Sequence, residues 1–268
     1  MTSEVKIVWM RVVGWALLIS AASGAAQAQI SPKLLEGMQW RCVGPLIAGR
    51  VDSVSGAIGQ MAIGYMGTDN GGVWKTVNAG TTWFPVTDAV PAIRGITALA
   101  VAPSQPRIVY AGTGSVFGSE YSSGIWKSTD AGAHWESAGL QNAGGITALL
   151  VDPHDPALLL AATRGIAHLE GGARGVFRST DGGTTWHPVL DAGPKSGATG
   201  IAWAHDNPRV IFATVVETYR APGAPGGGRR KPGPTSLYRS GDEGVTWSRL
   251  TGRNQPDVIG EIAVADHT

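Results

Sequence analysis

The chain has 268 residues, with 21 Lys and Arg against 20 Asp and Glu and a formal net charge of +1. That balance offers no electrostatic case for nucleic acid or anionic membrane, and a single cysteine, Cys42, excludes an intramolecular disulfide. The 39 glycines and 16 prolines point to many short turns and hence to a β-rich chain.

Residues 1–28 read as a secretory signal. Lys6 and Arg11 form a basic start, an apolar run follows from Val12 to about Ala22, and small residues lead to Ala26-Gln27-Ala28. The run is about eleven residues, against the roughly 20 that a spanning helix needs, so no membrane span is expected after cleavage. Loss of Lys6, Arg11 and Glu4 leaves the mature acidic and basic counts equal. The sequence predicts an exported protein, periplasmic or extracellular, starting near Gln29 and stabilised by packing. Cys42 reads as a small buried apolar residue rather than a nucleophile. In the N-terminal segment 29–48, GMQWRCVG (Gly37–Gly44) has the form of a ring-closing strand.

From residue 49 onward the chain repeats itself. One short turn recurs as TVNAGTTW (Thr76–Trp83), STDAGAHW (Ser128–Trp135), STDGGTTW (Ser179–Trp186) and SGDEGVTW (Ser240–Trp247). Its tryptophans fall at 83, 135, 186 and 247, spacings of 52, 51 and 61 residues. A second series, GITALAV, GITALLV, GATGIAW and GEIAVAD, starts at Gly95, Gly145, Gly197 and Gly260. The long last interval comes from a Pro/Gly-rich insertion, APGAPGGGRRKPGP, residues 221–234.

Each unit resolves into four short strands, which in the second are ITALAVAP, RIVYAGT, GIWKST and AHWES. No segment after the leader has a helical period. Four antiparallel strands repeated at about 50 residues define a propeller blade. The predicted fold is an all-β propeller with blades at about 49–88, 95–138, 145–190 and 197–250 and the start of a fifth at 260–268. A fifth blade of one strand leaves an unpaired edge. The sequence therefore predicts an incomplete ring, completed by further C-terminal blades of a longer protein or by a second chain.

The recurring turn sits between the third and fourth strands. In the third copy Asp181 can accept backbone N–H groups, Gly183 supplies a positive φ, and Trp186 starts the next strand with its ring packed across the hairpin. Asn78, Asp130, Asp181 and Asp242, with Trp83, Trp135, Trp186 and Trp247, are read as structural, because a catalytic role would require four similar sites on four blade corners. The pattern S-x-D-x-G-x-T-W resembles the Asp-box, or bacterial neuraminidase repeat. That repeat occurs in sialidases, xyloglucan-cleaving propeller glycosidases, sortilin-type receptor domains and photosystem II assembly-factor-like propellers. Asn78 replaces the Asp in the first copy and His134 the Thr in the second. The resemblance covers roughly residues 38–268. WRCVGPLIAGRV and GTDNGGVWKTVNAGTTW are most similar to large exported bacterial propellers of the sortilin-like or glycosyl-hydrolase-like kind. It implies the fold and leaves the activity open, since enzymes and non-enzymes share the box.

In a propeller the loops joining strands two and three share one rim, opposite the box turns. These loops differ in length here, so that rim is the expected binding face. It offers Glu120 and Tyr121, beside Phe117, from the second blade; Arg164, His168 and Arg174, beside Glu170, from the third; and Glu217, Tyr219 and Arg220 from the fourth. Aromatics beside arginines and carboxylates suit a glycan or peptide, whereas the basic run 229–231 reads as a solvated loop. The six histidines lack paired ligand spacing, and neither metal nor cofactor is expected.

The leading reading is a binding module for glycan or peptide. The alternative is a propeller glycoside hydrolase, which needs two carboxylates flanking the bond. The resemblance to xyloglucan-cleaving enzymes implies a catalytic Asp69 in GTDNGGVWK, with its partner carboxylate supplied by a later blade. The plain reading of Asp69 is an Asx-turn before Gly71-Gly72. A sialidase-like site would draw on Arg164, Arg174, Arg220, Tyr219 and Glu217, but the F/Y-R-x-P motif of that family is absent ahead of the first box. A structural, assembly-factor-like role is the third reading.

Overall fold

The computed structural model describes residues 49–115, 122–204, 207–219 and 235–251. The leader, the Gly37–Gly44 strand, Cys42, the 221–234 insertion and the strand predicted at 260–268 lie outside the described residues.

Among the described residues, sixteen strands form four antiparallel four-stranded sheets, each built in chain order. Blade 1 holds β1 (Val51–Gly56), β2 (Gly64–Thr68), β3 (Gly72–Thr76) and β4 (Phe84–Pro85). Blade 2 holds β5 (Ile96–Val101), β6 (Val109–Thr113), β7 (Ile125–Ser128) and β8 (Glu136–Ser137). Blade 3 holds β9 (Ile146–Val151), β10 (Leu159–Thr163), β11 (Gly175–Ser179) and β12 (His187–Asp191), and blade 4 holds β13 (Ser196–Ala204), β14 (Asn207–Glu217), β15 (Ser236–Ser240) and β16 (Ser248–Arg249). The all-β propeller architecture read from the repeats is what the chain adopts. In all four blades the corner tryptophan ends the turn and the outer strand opens on the next residue, running two residues in blades 1, 2 and 4 and five in blade 3.

Successive blades cover each other's apolar faces, giving three cores among the described residues. One core joins blades 1 and 2 through Tyr65, Val73, Ile96, Leu99 and Val109. A second joins blades 2 and 3 through Tyr110, Ile125, Ile146, Leu149 and Leu159, and a third joins blades 3 and 4 through Leu160, Val176, Ile201 and Ile211. The alternation along β6 and β10 thus serves two cores, one on each side, which is why both strands are buried at every residue.

The recurring turn has one geometry in all four copies. In the third, the Ser179 hydroxyl donates to Asp181 Oδ1 (2.8 Å) and accepts from the Gly183 amide (2.9 Å), while Asp181 Oδ1 accepts the Thr185 amide (2.9 Å). Asn78 reproduces this with its amide oxygen, which accepts the Thr82 amide at 2.9 Å. Two successive residues have positive φ in each copy: Ala79 and Gly80, Ala131 and Gly132, Gly182 and Gly183, Glu243 and Gly244. The second is always glycine, and a Cβ at Gly244 would stand 2.3 Å from Leu160 Cδ2 of the preceding blade.

These corners also bolt the blades together. Trp135 Nε1 donates to the Val86 carbonyl of blade 1 (3.0 Å), and Trp186 Nε1 to the Ala138 carbonyl of blade 2 (2.8 Å). In return, the carbonyl of the first left-handed residue accepts a cation from the preceding blade: Lys75 to Ala131 (2.8 Å), Lys127 to Gly182 (3.2 Å) and Arg178 to Glu243 (3.1 Å). Tyr65 and Tyr110 add their hydroxyls to the same carbonyls, at 3.1 and 3.3 Å. Burial pushes the Tyr65 hydroxyl up to about 12 and raises Tyr110 further. Replacing Trp186 by Phe keeps the ring and removes the donor. It should cost about 1–2 kcal/mol and lower the thermal midpoint by about 2–6 °C, read by circular dichroism.

The corner carboxylates make stability depend on pH. The Thr185 hydroxyl and amide, then Ser179, draw Asp181 down to about 2, and Thr246 does the same for Asp242. The His134 amide and ring lower Asp130 as well. An unfolded aspartate titrates near roughly 3.9. The stabilisation is therefore complete above about pH 4 and is lost as the pH falls toward about 2. The thermal midpoint should drop across that window. The drop should be shallower in the Asp181→Asn/Asp242→Asn double variant, whose amides can bond as Asn78 does.

Candidate functional site

Loops joining the second and third strands lie on the rim opposite the corners, beside the connections between blades. On that rim a cleft of about 490 Å³ opens at the junction of blades 1 and 2. Asp69 and Asn70 of the first loop line it, with Pro91, Arg94 and Gly95 of the blade connection and Ser122 and Ser123 of the second loop.

The first loop is fixed by its neighbours. The Thr68 hydroxyl accepts the Gly71 amide (2.9 Å) and donates to the Gly72 carbonyl (3.2 Å). Trp74 Nε1 donates to the Gly71 carbonyl (2.9 Å), and the Asp69 amide to the Arg50 carbonyl (3.0 Å). The turn expected from Asp69 is thus made by Thr68, because its hydroxyl both donates and accepts inside the loop. The Asp69 carboxylate is left over. Its Oδ1 is buried, with no hydrogen-bond partner among the described residues, a costly arrangement in a folded chain. Behind it, Gly95 lets two carbonyls close in: a Cβ there would meet the Gly114 oxygen at 2.3 Å and the Asp69 oxygen at 2.9 Å. The far wall is tied by Ser123, whose hydroxyl donates to the Ala92 carbonyl (2.7 Å) and accepts Trp126 Nε1 (2.9 Å).

The inner strands add a second carboxylate. Each skips one residue in its pairing: Asp52, Thr97, Thr147 and Thr199. The Thr97 hydroxyl donates across the seam to the Ile146 carbonyl (2.5 Å) and Thr147 to the Ala198 carbonyl (2.8 Å). In blade 1 the position is Asp52, whose Oδ1 pairs with Arg50 Nε at 2.7 Å and whose Oδ2 is buried without a partner among the described residues.

The other rim candidates gather elsewhere. Glu120, Tyr121 and Arg220 lie outside the described residues. Arg164 and Arg174 meet at the junction of blades 3 and 4 around Thr218, which lies between Glu217 and Tyr219 in the chain. Arg174 is 3% exposed and spends its guanidinium on the protein, donating to the carbonyls of Arg164 (2.6 Å), Gly171 (3.0 Å) and Leu169 (2.7 Å) and also to Ile166 and Thr218. Burial lowers its pKa. Arg164 Nη1 reaches back to the Ser115 carbonyl at the cleft edge (3.3 Å), and Lys195 lies over the Tyr219 ring, 5.3 Å from its centre. His168 is exposed. Sequence reasoning did not single out Asp52, Arg94, Ser122 or Ser123. The substitution of Asp for the threonine shared by the other inner strands was the available signal for Asp52.

No family model matches the chain. It is 28% identical over 224 residues to a xyloglucanase of a Paenibacillus species, covering 70% of this chain and 20% of that protein. It is 28% identical over 214 residues to the xyloglucanase Xgh74A of Acetivibrio thermocellus, covering 70% and 24%. A xyloglucanase of Hypocrea jecorina is 27% identical over 219 residues, covering 71% and 25%. The chain thus spans about a fifth to a quarter of the length of these curated relatives. Among solved structures, the GH74 xyloglucanase of Xanthomonas campestris superposes with a TM-score of 0.59 at 24% identity, covering 82% of this chain and 32% of that one. The GH74 enzyme of Niastella koreensis gives 0.55 at 22% identity, covering 73% and 28%. These superpositions establish the fold, a β-propeller.

Arg174→Met should unfold the third-blade loop it holds, costing roughly 2–4 kcal/mol through the carbonyls left without donors. Limited proteolysis should then cut within residues 164–174, where the parent chain resists. Arg174→Lys should not rescue it, because one ammonium cannot replace a planar five-donor fork.

Proposed function

We propose that this chain is a glycan-acting propeller of the glycoside hydrolase kind, with its polysaccharide site in the cleft at the junction of blades 1 and 2. Asp69 is one of the two carboxylates, and the partner is supplied from outside the described residues. The observation that carries this reading is Asp69 itself: it lines the cleft on a fixed loop, the local turn is closed by Thr68 instead, and its Oδ1 has no hydrogen-bond partner among the described residues. Glycoside hydrolysis needs such a pair, one acid to protonate the leaving oxygen and one carboxylate to act as base or nucleophile. The xyloglucanases to which the chain is similar favour this reading over the binding module, and xyloglucan as the substrate class. The leader and an exported location belong to the same proposal, since a polysaccharide substrate lies outside the cell.

Within this reading Arg94 and Asn70 supply the polar contacts that orient sugar hydroxyls, Ser122 and Ser123 hold the far wall, and Arg174 serves only to hold its loop. The test is reducing-end release from xyloglucan, with isothermal titration of xyloglucan oligosaccharides in parallel. Asp69→Asn should lower kcat by about 10²-fold or more, the scale of losing a proton-transferring group, and leave affinity within about threefold. Equal activity in the parent and Asp69→Asn chains, or no binding of the oligosaccharides, sinks the proposal.

A further inference from the structure

Blades 1, 2 and 3 end their second strand alike. Strands β2, β6 and β10 finish at Thr68, Thr113 and Thr163. The amide of the next residue then donates to the carbonyl just ahead of its own inner strand: Asp69 to Arg50 (3.0 Å), Gly114 to Gly95 (3.0 Å) and Arg164 to Gly145 (3.1 Å). One position of the repeat thus carries a carboxylate, then no side chain, then a guanidinium. Asp69 and Gly114 both line the cleft. Arg164 stands in the following blade and leans back toward it.

The bare position is what gives Arg164 its path. A Cβ at Gly114 would meet Gly145 Cα at 3.1 Å, and a Cβ at Gly145 would meet Arg164 Cγ at 3.4 Å and Cδ at 3.5 Å. The arginine stem therefore runs over Gly145. Beyond it, Nη1 donates to the Ser115 carbonyl of blade 2 (3.3 Å), and Ser115 lines the cleft. The backbone of Arg164 is fixed from behind. Its carbonyl accepts Arg174 Nη1 (2.6 Å) and the Thr218 hydroxyl (2.7 Å). Gly197 of blade 4 packs so closely that a Cβ there would stand 2.6 Å from Arg164 Cα. A long side chain anchored this way loses less freedom when its tip is used.

The wall that Arg164 reaches is otherwise bonded at its base. The Ser122 hydroxyl donates to the Thr113 carbonyl (3.1 Å), and the Ser123 amide to the Thr113 hydroxyl (2.8 Å). Ser115 lies past those bonds along the loop, and blade 3 supplies a support for it from outside the blade. We propose that Arg164 is a positioning residue for the cleft: it holds the Ser115 edge of the far wall and so sets how tightly a glycan is gripped. This rests on the reading of the cleft as the glycan site. Asp69 is held by separate contacts, through Thr68, Trp74 and the Arg50 carbonyl, so Arg164 governs affinity and leaves the chemical step alone.

The experiment joins hydrogen exchange by mass spectrometry to kinetics on xyloglucan oligosaccharides, for the full parent chain, Arg164→Met and Arg164→Lys. Methionine keeps an apolar stem over Gly145 and removes the donors. Amides within residues 113–124 should exchange about tenfold faster in Arg164→Met, while those of β9 and β13 keep the parent rate. KM should rise about three- to tenfold, the scale of one lost hydrogen bond, with kcat within about twofold. Arg164→Lys should recover most of both, because one ammonium can serve one carbonyl. If Arg164→Met folds poorly, Thr218→Val, which removes one donor to the Arg164 carbonyl, should give the same local signature in weaker form. Unchanged exchange at 113–124, a loss confined to kcat, or faster exchange spread through all four blades overturns the proposal. A parent chain that neither binds nor cleaves xyloglucan overturns the reading of the cleft instead, and the exchange rates still decide whether Arg164 holds the wall.

Discussion

Two consecutive left-handed residues at each blade corner turn one carbonyl out of its own hairpin, and the arrangement of the blades follows from where that oxygen goes. A peptide oxygen pointing away from its turn must find a donor elsewhere. It finds Lys75, Lys127 or Arg178 on the preceding blade, together with a tyrosine hydroxyl where the second strand supplies one. The cation lies over the tyrosine it accompanies, 5.6 Å from the ring centre in blades 1 and 2, so the aromatic both packs the core and shields the charge. Trp135 and Trp186 send their indole N–H the other way, to a carbonyl beyond the outer strand of the same preceding blade. Register between blades is set at the corner rim by polar groups and filled above it by apolar side chains.

Fixing one rim in this way leaves the other free to vary. On the long-loop rim the seams are closed by different means. Thr97 and Thr147 hydroxyls tie the second seam and the third, and Arg174 gathers the third-blade loop around its guanidinium. Such ties use side chains whose donors match nearby carbonyls, and they leave nothing over for a ligand. At the first seam the corresponding groups are carboxylates and small hydroxyls, and there the cleft opens.

Much of the scaffold was legible in the sequence, and less of the site. The corner motif announces itself because every element is local: Ser179, Asp181, Gly183 and Thr185 bond one another within seven residues. The same locality hid its second task. Nothing within a single repeat says that the residue after Trp74, Trp126 or Phe177 must be cationic, since its acceptor lies in the next blade. It becomes visible only when Lys75, Lys127 and Arg178 are aligned by register. Arg174 was read as a rim ligand because arginine in a variable loop usually faces solvent, and no composition argument reveals that several carbonyls converge on one point. For Asp69 the sequence offers two readings, a catalytic carboxylate implied by the resemblance and a plain turn-former, and the structure differs from the second. An aspartate before two glycines is a good Asx candidate, but Thr68 one position earlier carries a hydroxyl that both donates and accepts, and it takes the turn.

Blade 1 departs from the repeat at Asp52 and Asp69, and the two departures act on the same seam. Where the other seams have a threonine donor, Asp52 brings acceptors and draws Arg50 onto one of them. Facing a strand whose carbonyls are also acceptors, such a residue cannot tie the seam as Thr97 and Thr147 do. Asp69 follows the strand paired with Asp52's own, and its amide is held by the Arg50 carbonyl, so Arg50 touches both carboxylate-bearing segments. A repeat protein gains specificity by breaking its own rule at one place while the remaining copies hold the frame. Replacing a seam-closing donor by a buried carboxylate is unfavourable for the scaffold alone. The register that pairs Val51 with Thr68 sets Asp52 next to the strand leading into Asp69, so both departures fall at the seam where the cleft opens.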